Sequence, residues 1–258
     1  MYHLAWYFYI YAFLGWCAEV AYAAFVEERF VNRGFLNGPV CPIYGIGVSI
    51  VYATLMPFRE KWLVLFAGAV ILTTALEGLT GYVLEKIFHQ KWWDYSDRML
   101  NWRGYVCLDM SLLWGAACLA IIKLVFPATD FMIVGIPRLL GLILLVVFSV
   151  LLAADLATTV VVITGLQKQM KLLFELSEKI REESNRIGKR VSKNILDLTE
   201  RYDAIARKTH LLRRRLIQAF PTMKSSRYNE QLSELRRRIK ARDIQRKQKR
   251  IREQEITK

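Results

Sequence analysis

Five long apolar stretches, separated by short polar breaks, occupy the first 165 residues of the chain. A bilayer core about 30 Å thick takes about 20 apolar residues in a helix, because a helix rises about 1.5 Å per residue. The pattern therefore predicts an all-α integral membrane protein with five transmembrane helices. The second stretch is rich in Gly and Pro, which transmembrane helices tolerate where neighbours satisfy the backbone. The predicted spans are residues 4–26, 38–57, 62–84, 105–126 and 139–165.

The hydrophobic pattern changes after residue 165. Apolar side chains now recur every three or four positions on a polar background, which predicts an amphipathic or coiled-coil helix over residues 166–220. We expect this cytoplasmic helix to be continuous over residues 166–216 and to self-associate or lie beside the membrane. Pro221 ends it, and residues 221–258 form a basic, partly disordered tail in which 228–256 suit a second helix. The apolar stripe contains Leu166, Met170, Leu173, Ile180, Ile187, Val191, Ile195, Leu198, Tyr202, Ile205, Leu212 and Leu216.

Charge divides the chain at the same place. Residues 1–165 hold 10 Lys/Arg and 11 Asp/Glu, whereas residues 166–258 hold 27 and 12. A tail with this charge binds an anionic membrane surface or an acidic partner protein. Nucleic acid is disfavoured as a partner, because a tail tethered to a bilayer meets lipid head groups first.

The distribution of Lys and Arg also predicts orientation, because cytoplasmic loops carry the excess. With the basic tail in the cytoplasm and five spans, the amino terminus lies outside. Loops 27–37 and 85–104 are then cytoplasmic and contain six basic residues, against three in the outer loops. The six are Arg29, Arg33, Lys86, Lys91, Arg98 and Arg103, and the three are Arg59, Lys61 and Arg138.

Four acidic residues fall inside the predicted spans, where a charge needs a partner, water or a functional reason. In the predicted orientation Glu19, Glu77, Asp109 and Asp155 all lie in the inner half of the bilayer. One interpretation is a polar site open to the cytoplasm. The other is that the carboxyl groups are neutral, or pair with Arg33, Arg98 and Arg103 and only hold helices together.

The first interpretation gains support from polar residues predicted on the same side, at the start of the second span and in loop 91–104. The acids would bind a cationic group or protons, and Trp92, Trp93 and Tyr95 would anchor the loop at the interface or stack on a ligand. The predicted ligand site contains Glu19, Asn37, Tyr44, Glu77, Asp94, Tyr95, Asn101, Arg103 and Asp109.

The sequence favours no metal or cofactor. The four cysteines lie in or beside apolar segments without CxxC spacing, which is typical of small core residues. His3, His89 and His210 are widely separated in sequence. No catalytic residue set is predicted, since no Ser/His or Cys/His partnering is visible.

Two stretches carry a family resemblance. GFLNGPVCPIYGIG at 34–47 and WWDYSDRMLNWRGYVCLDMSLLWG at 92–114, separated by a span ending in LEGLTGYVLE, are similar to the bacterial family labelled putative ABC-transporter type IV. The resemblance covers about residues 8–126. It implies a multi-pass protein of the bacterial inner membrane that acts as a permease component. The chain has no GxxxxGK[ST] loop, so any ATPase acts in trans, and loop 85–104 is the longest candidate coupling surface.

Three functions stay open from sequence. The favoured one is a permease-like protein with a cytoplasm-facing polar pocket. The second is an intramembrane enzyme that acts on a lipid-linked substrate through the same carboxylates. The third is a non-catalytic scaffold whose membrane part anchors a coiled coil.

Overall fold

The computed structural model describes residues 1–27, 30–186, 193–207 and 211–256. Arg29 of the first predicted cytoplasmic loop, Ile187 and Val191 of the apolar stripe, and His210 lie outside these ranges. The chain divides into two compact units. Unit 1 comprises Met1–Val160 and Ala219–Met223, and unit 2 comprises Val161–Gln218 and Lys224–Lys258.

Unit 1 is built from helices that match the predicted apolar stretches. The elements are α1 (Tyr2–Glu27), α2 (Pro42–Leu55), a 3₁₀ turn (Met56–Phe58), α3 (Trp62–Phe88), β1 (Gln90–Lys91), α4 (Leu108–Ala120), a π-helical turn (Ile121–Val125), α5 (Phe126–Val134) and the first part of α6 (Arg138–Arg186). Four helical segments are long and apolar enough to cross a membrane: Tyr2–Val26, Trp62–Phe88, Leu108–Val134 and Arg138–Ser184. The all-α membrane fold is therefore confirmed.

The second predicted span is shorter than the others. The 14 residues of α2 and the three-residue turn after it span about 25 Å at about 1.5 Å per residue. They nevertheless connect the C-terminal end of α1 with the N-terminal end of α3, and these two ends lie at opposite ends of unit 1. The Phe35 ring, just before α2, lies 5.0 Å from the Trp92 ring beyond the far end of α3, whereas Trp62 begins α3 after the turn. Five membrane crossings stay a prediction that depends on α2.

The fourth span extends further than its hydrophobic pattern indicates. The predicted end was residue 126, but helix continues to Val134. A π-helical turn at Ile121–Val125 precedes Pro127, whose ring nitrogen has no hydrogen to donate to the carbonyl of the preceding turn. The proline is accommodated by this local widening and does not end the span.

Aromatic and small side chains fill the core of unit 1. Tyr7 is 1% exposed and contacts the rings of Tyr52 and Phe126, each at 4.9 Å between centroids. Glycines let α1 and α2 approach closely, since a Cβ at Gly45 would overlap the Phe8 backbone. The outer surfaces of the spans expose Leu, Ile, Val and Phe, as expected for side chains that face lipid.

Unit 2 contains the rest of α6, then α7 (Lys193–Arg207), α8 (Leu211–Ala219), β2 (Lys224–Ser225) and α9 (Asn229–Ile256). The predicted single helix over 166–216 is wrong. Gln169 donates to the carbonyl oxygen of Ile205 at 2.9 Å, although these residues are 36 positions apart. In one straight helix they would be about 54 Å apart, so the chain reverses direction between them.

The apolar stripe is covered by the fold of unit 2. Leu166, Met170, Leu173 and Leu216 are fully buried, as are Leu232 and Leu235 of α9. Charged side chains link α7 and α9, since Arg238 contacts Asp203 at 2.8 Å. The second basic helix suggested by the sequence is present as α9. Self-association through the stripe stays a prediction, but burial of these side chains does not require it.

Candidate functional site

Two loops meet at one end of unit 1. Loop A is residues 30–41, between α1 and α2, and loop B is residues 89–107, between α3 and α4. Phe35 of loop A packs on Trp92 of loop B, which is 2% exposed, and both rings contact Phe88. Phe220 closes the same aromatic group with its ring 5.1 Å from Trp92. Trp92 therefore anchors loop B in the protein interior.

Glu77 is the buried acid of this end. It is 8% exposed and accepts a hydrogen bond from the Tyr95 hydroxyl at 3.2 Å. The Trp114 side chain also interacts with its carboxylate. Within the described ranges no Lys, Arg or His lies within ion-pair distance of Glu77. A carboxyl group in this setting is held by neutral donors alone.

A second acid is joined to Glu77 through aromatic side chains. The Tyr44 hydroxyl donates to Glu19 at 2.5 Å, and the Tyr44 ring contacts Trp114 edge-to-face at 5.4 Å. A Cβ at Gly15 would overlap the Tyr44 ring, so glycine allows Tyr44 to lie along α1 toward Glu19. We name Glu19, Tyr44, Glu77, Tyr95 and Trp114 the Glu77 cluster.

The two acids of the cluster differ in charge balance. Glu19 lies 3.4 Å from the guanidinium of Arg33 in loop A, so its negative charge has a basic partner. Glu77 has none in the described part of the chain. Burial, and secondarily the charge of Glu77, raises the pKa of Tyr95, so this hydroxyl keeps its proton and acts as a donor.

Asn37 belongs to a different contact. Its backbone amide and side-chain amide donate to one carboxylate oxygen of Asp155 at 3.0 and 2.9 Å, and the Gly38 amide donates to the other at 2.7 Å. Asp155 therefore fixes loop A to α6. The structure places Asn37 here and not in the Glu77 cluster.

Three further predicted site residues hold the shape of loop B. Asp94 accepts from the amide and hydroxyl of Ser96 at 3.1 and 2.5 Å. Asn101 donates to the carbonyl oxygens of Ser96 and Arg98 at 3.1 and 2.8 Å. The Arg103 carbonyl accepts a hydrogen bond from Lys91 at 2.8 Å, and the Arg103 guanidinium lies over the Trp102 ring. The sequence pattern did not predict that these three residues hold the conformation of loop B.

Asp109 forms an ion pair on the surface. Its carboxylate lies 3.0 Å from Arg98, and both side chains are about half exposed, at 46% and 57%. The pairing interpretation thus describes Glu19 and Asp109, whose partners Arg33 and Arg98 were among those named from sequence. It does not describe Glu77.

All four acids found inside the predicted spans contact residues at this end. Sequence reasoning missed Trp114, which joins Glu19 and Glu77 through Tyr44. It lies five residues after Asp109, in an apolar stretch where a tryptophan suggests only packing.

The model of a family described as "Putative ABC-transporter type IV" matches residues 6–160. The match extends past the 8–126 range of the quoted motifs and includes Asp155. No curated protein and no solved structure matches the chain.

Proposed function

The chain belongs to the family described as "Putative ABC-transporter type IV", and from that premise we propose that it is the permease-like component of a transporter. Its ATPase is a separate subunit, because the sequence has no GxxxxGK[ST] phosphate loop. The protein lies in a bacterial cytoplasmic membrane, with its amino terminus outside and its tail inside. The Lys and Arg distribution supports this orientation.

The observation that carries the proposal is the state of Glu77. A carboxyl group that is 8% exposed, receives a tyrosine hydroxyl and has no basic neighbour in the described ranges accommodates a proton or a cationic group. An ion pair that only joined helices would place a Lys or Arg there. The Glu77 cluster is therefore our candidate for the cytoplasm-facing site.

Loop B contains Tyr95 of the Glu77 cluster, and we expect the partner ATPase to contact loops A and B. Tyr95 and its loop are held by Trp92 in the interior, and the Tyr95 amide donates to the Gly104 carbonyl at 2.9 Å. A subunit that moves loop B would move the Tyr95 hydroxyl away from Glu77. This is a direct route from an ATPase on the cytoplasmic side to the affinity of the site.

The first test is copurification of the full chain from its native membrane, followed by mass spectrometry. We expect an ATP-binding subunit to be retained. Turnover of a lipid-linked substrate by the purified chain alone would favour the enzyme alternative. Association without flux or turnover would favour the scaffold.

The second test separates Glu77 from a matched glutamate of the same helix. Glu85 also accepts a tyrosine hydroxyl, from Tyr105 at 2.7 Å, but is only half-buried. We expect Glu77→Gln to insert and melt near wild type yet fail to complement loss of the gene, whereas Glu85→Gln complements. If Glu77→Gln disappears from the membrane, the residue is structural and the site assignment is withdrawn.

Reporter fusions test the orientation. A fusion after Lys61 should report the outside, and a fusion after Lys168 should report the cytoplasm. A cytoplasmic signal at Lys61 would reverse the inner and outer loops and place the Glu77 cluster on the wrong side for an ATPase.

A further inference from the structure

Helices α7 and α9 of unit 2 border a cavity that is lined by three arginines. The cavity has a volume of about 390 Å³, and its lining consists of Arg207 of α7 and Arg238, Ala241, Arg242 and Gln245 of α9. The four residues of α9 stand at positions i, i+3, i+4 and i+7, so they share one face of that helix. Among the residues that the structure describes, no Asp or Glu lines this cavity.

Contacts between the two helices hold two of these arginines in place. Arg238 lies 2.8 Å from Asp203 of α7 and 2.6 Å from Glu234 of α9. One turn further along both helices, Arg242 donates to the carbonyl oxygen of Arg207 at 3.0 Å. A ligand therefore meets side chains that are already oriented, and binding costs less side-chain entropy than it would at free arginines.

These contacts leave both hydrogen-bond donors and positive charge for a ligand. A guanidinium has five N–H donors, which is more than the contacts of either arginine use. In the described ranges, Asp203 and Glu234 are the acids within ion-pair distance of the three arginines. Asp203 is shared, because it also lies 3.8 Å from Arg207. At most two of the three positive charges are therefore balanced.

We propose that this cavity binds a phosphate group, in the form of a phosphomonoester. Such a group carries a charge of about −1.5 to −2 near pH 7 and presents three acceptor oxygens. It suits three guanidiniums better than a carboxylate does, since a carboxylate offers one charge and two oxygens. The same chemistry is present in the head group of phosphatidic acid and in free phosphate.

A defined phosphate site differs from the general attraction of a basic tail for an anionic bilayer. General attraction depends on the number of positive charges, so exchanging one arginine for lysine would not change it. A phosphate site loses affinity on Arg207→Lys, because lysine lacks the planar guanidinium that forms two parallel hydrogen bonds. Arg201 is the matched control on the same helix. It pairs with Asp197 at 3.0 Å and is not among the residues that line the cavity.

The experiment measures binding to the purified full chain in uncharged detergent by titration calorimetry. The probes are inorganic phosphate and water-soluble dihexanoyl phosphatidic acid. We expect saturable binding to wild type, and Arg207→Lys should weaken it by at least about tenfold through loss of a charged hydrogen bond. Ala241→Met should also weaken it, because the longer side chain fills the cavity without removing a charge. Arg201→Gln should match wild type, and melting temperatures establish that the variants are folded.

The two probes distinguish the sources of the phosphate group. Similar affinity for both supports a soluble phosphate compound as the ligand, whereas binding of the lipid alone supports a head group. Absence of saturable binding of either probe to wild type would overturn the proposal. Equal affinity of Arg207→Lys and Arg201→Gln would also overturn it. Neither result depends on Glu77 or on an ATPase partner, so a failure here leaves the tests of the proposed function untouched.

Discussion

Single residues divide the acids of the membrane unit into two kinds. Glu19, Asp109 and Asp155 each have a basic side chain or backbone amides as partners, whereas Glu77 has a tyrosine. The sequence predicted that four acids share one end, since that follows from span direction alone. It did not predict that Glu19 and Asp109 pair with arginines while Glu77 and Asp155 have no basic partner among the described residues, because that depends on how Arg33 and Arg98 fold back from their loops.

The first prediction concerns Asp155, whose two oxygens accept backbone amides of Asn37 and Gly38. Asp155→Asn replaces one acceptor by an NH₂ group that faces an amide donor, so we expect a loss on the order of 2 kcal/mol in stability. Asp155 lies within the family match over residues 6–160, although it is outside the range of the sequence motifs. Thermal unfolding of the detergent-solubilised protein measures the change.

A matched control is Asp197→Asn. Asp197 pairs with Arg201 at 3.0 Å on an exposed helix surface, and such pairs contribute about 0–1 kcal/mol. Equal melting of Asp155→Asn and wild type would show that loop A does not need this carboxylate.

At the scale of helices, the sequence patterns were most informative about where the apolar helices lie. The pattern after residue 165 was misleading about how the tail folds. The apolar runs located the starts of four long helices to within three residues, although two of these helices extend well beyond their predicted ends. The continuous 3/4 spacing after residue 165 correctly predicted helix, but a helical period carries no information on where two segments fold back on each other. Reversal depends on contacts such as Gln169 with Ile205, which lie far apart in sequence.

The second prediction tests that reversal. Arg213 of α8 donates to Gln169 of α6 at 3.2 Å, across 44 positions. Cysteines introduced together at positions 169 and 213 should be joined by a short thiol cross-linker in the full chain. One continuous helix would separate them by about 66 Å. Single-cysteine variants are the controls. Absence of the cross-linked product in the double variant would support one continuous helix.

The third prediction concerns Glu234 and Arg238, which pair four positions apart on α9. The hydrogen bond from Arg238 lowers the pKa of Glu234, and Arg237 adds to this effect. A carboxyl group with a lowered folded pKa stabilises the fold above its unfolded value of 4.5 and loses this contribution as the pH falls below that value. The melting difference between wild type and Arg238→Gln should therefore shrink on acidification from about pH 6 to about pH 3. Arg201→Gln should show little difference at either pH.

At the scale of the whole molecule, the separation of charge is the most predictable property. Counting Lys and Arg places the basic excess in residues 166–258, and the fold keeps many of these side chains at the surface of α9. Counting could not predict that acids such as Asp203 and Glu234 neutralise part of the charge within unit 2.

The fourth prediction is that residues 224–258 bind anionic lipid. They hold 13 Lys/Arg and five Asp/Glu, and each basic residue near an anionic surface contributes about 1 kcal/mol. A peptide of this range should bind anionic vesicles at low salt and dissociate at high salt, as measured by sedimentation. A peptide with its arginines replaced by glutamine is the control. Equal binding to neutral vesicles would contradict an electrostatic mechanism.

The short second helix has a consequence for the lipid itself. If α2 crosses the membrane as predicted, about 25 Å of apolar helix beside neighbours of 26 and 27 residues leaves a hydrophobic mismatch on one flank of unit 1. A bilayer adapts to a short span by thinning, at a cost of fractions of a kcal/mol per Å. The packing of α2 should therefore depend on acyl chain length. We expect lipids with shorter acyl chains to gather around α2 and to favour the packing that holds Tyr44 against Gly15.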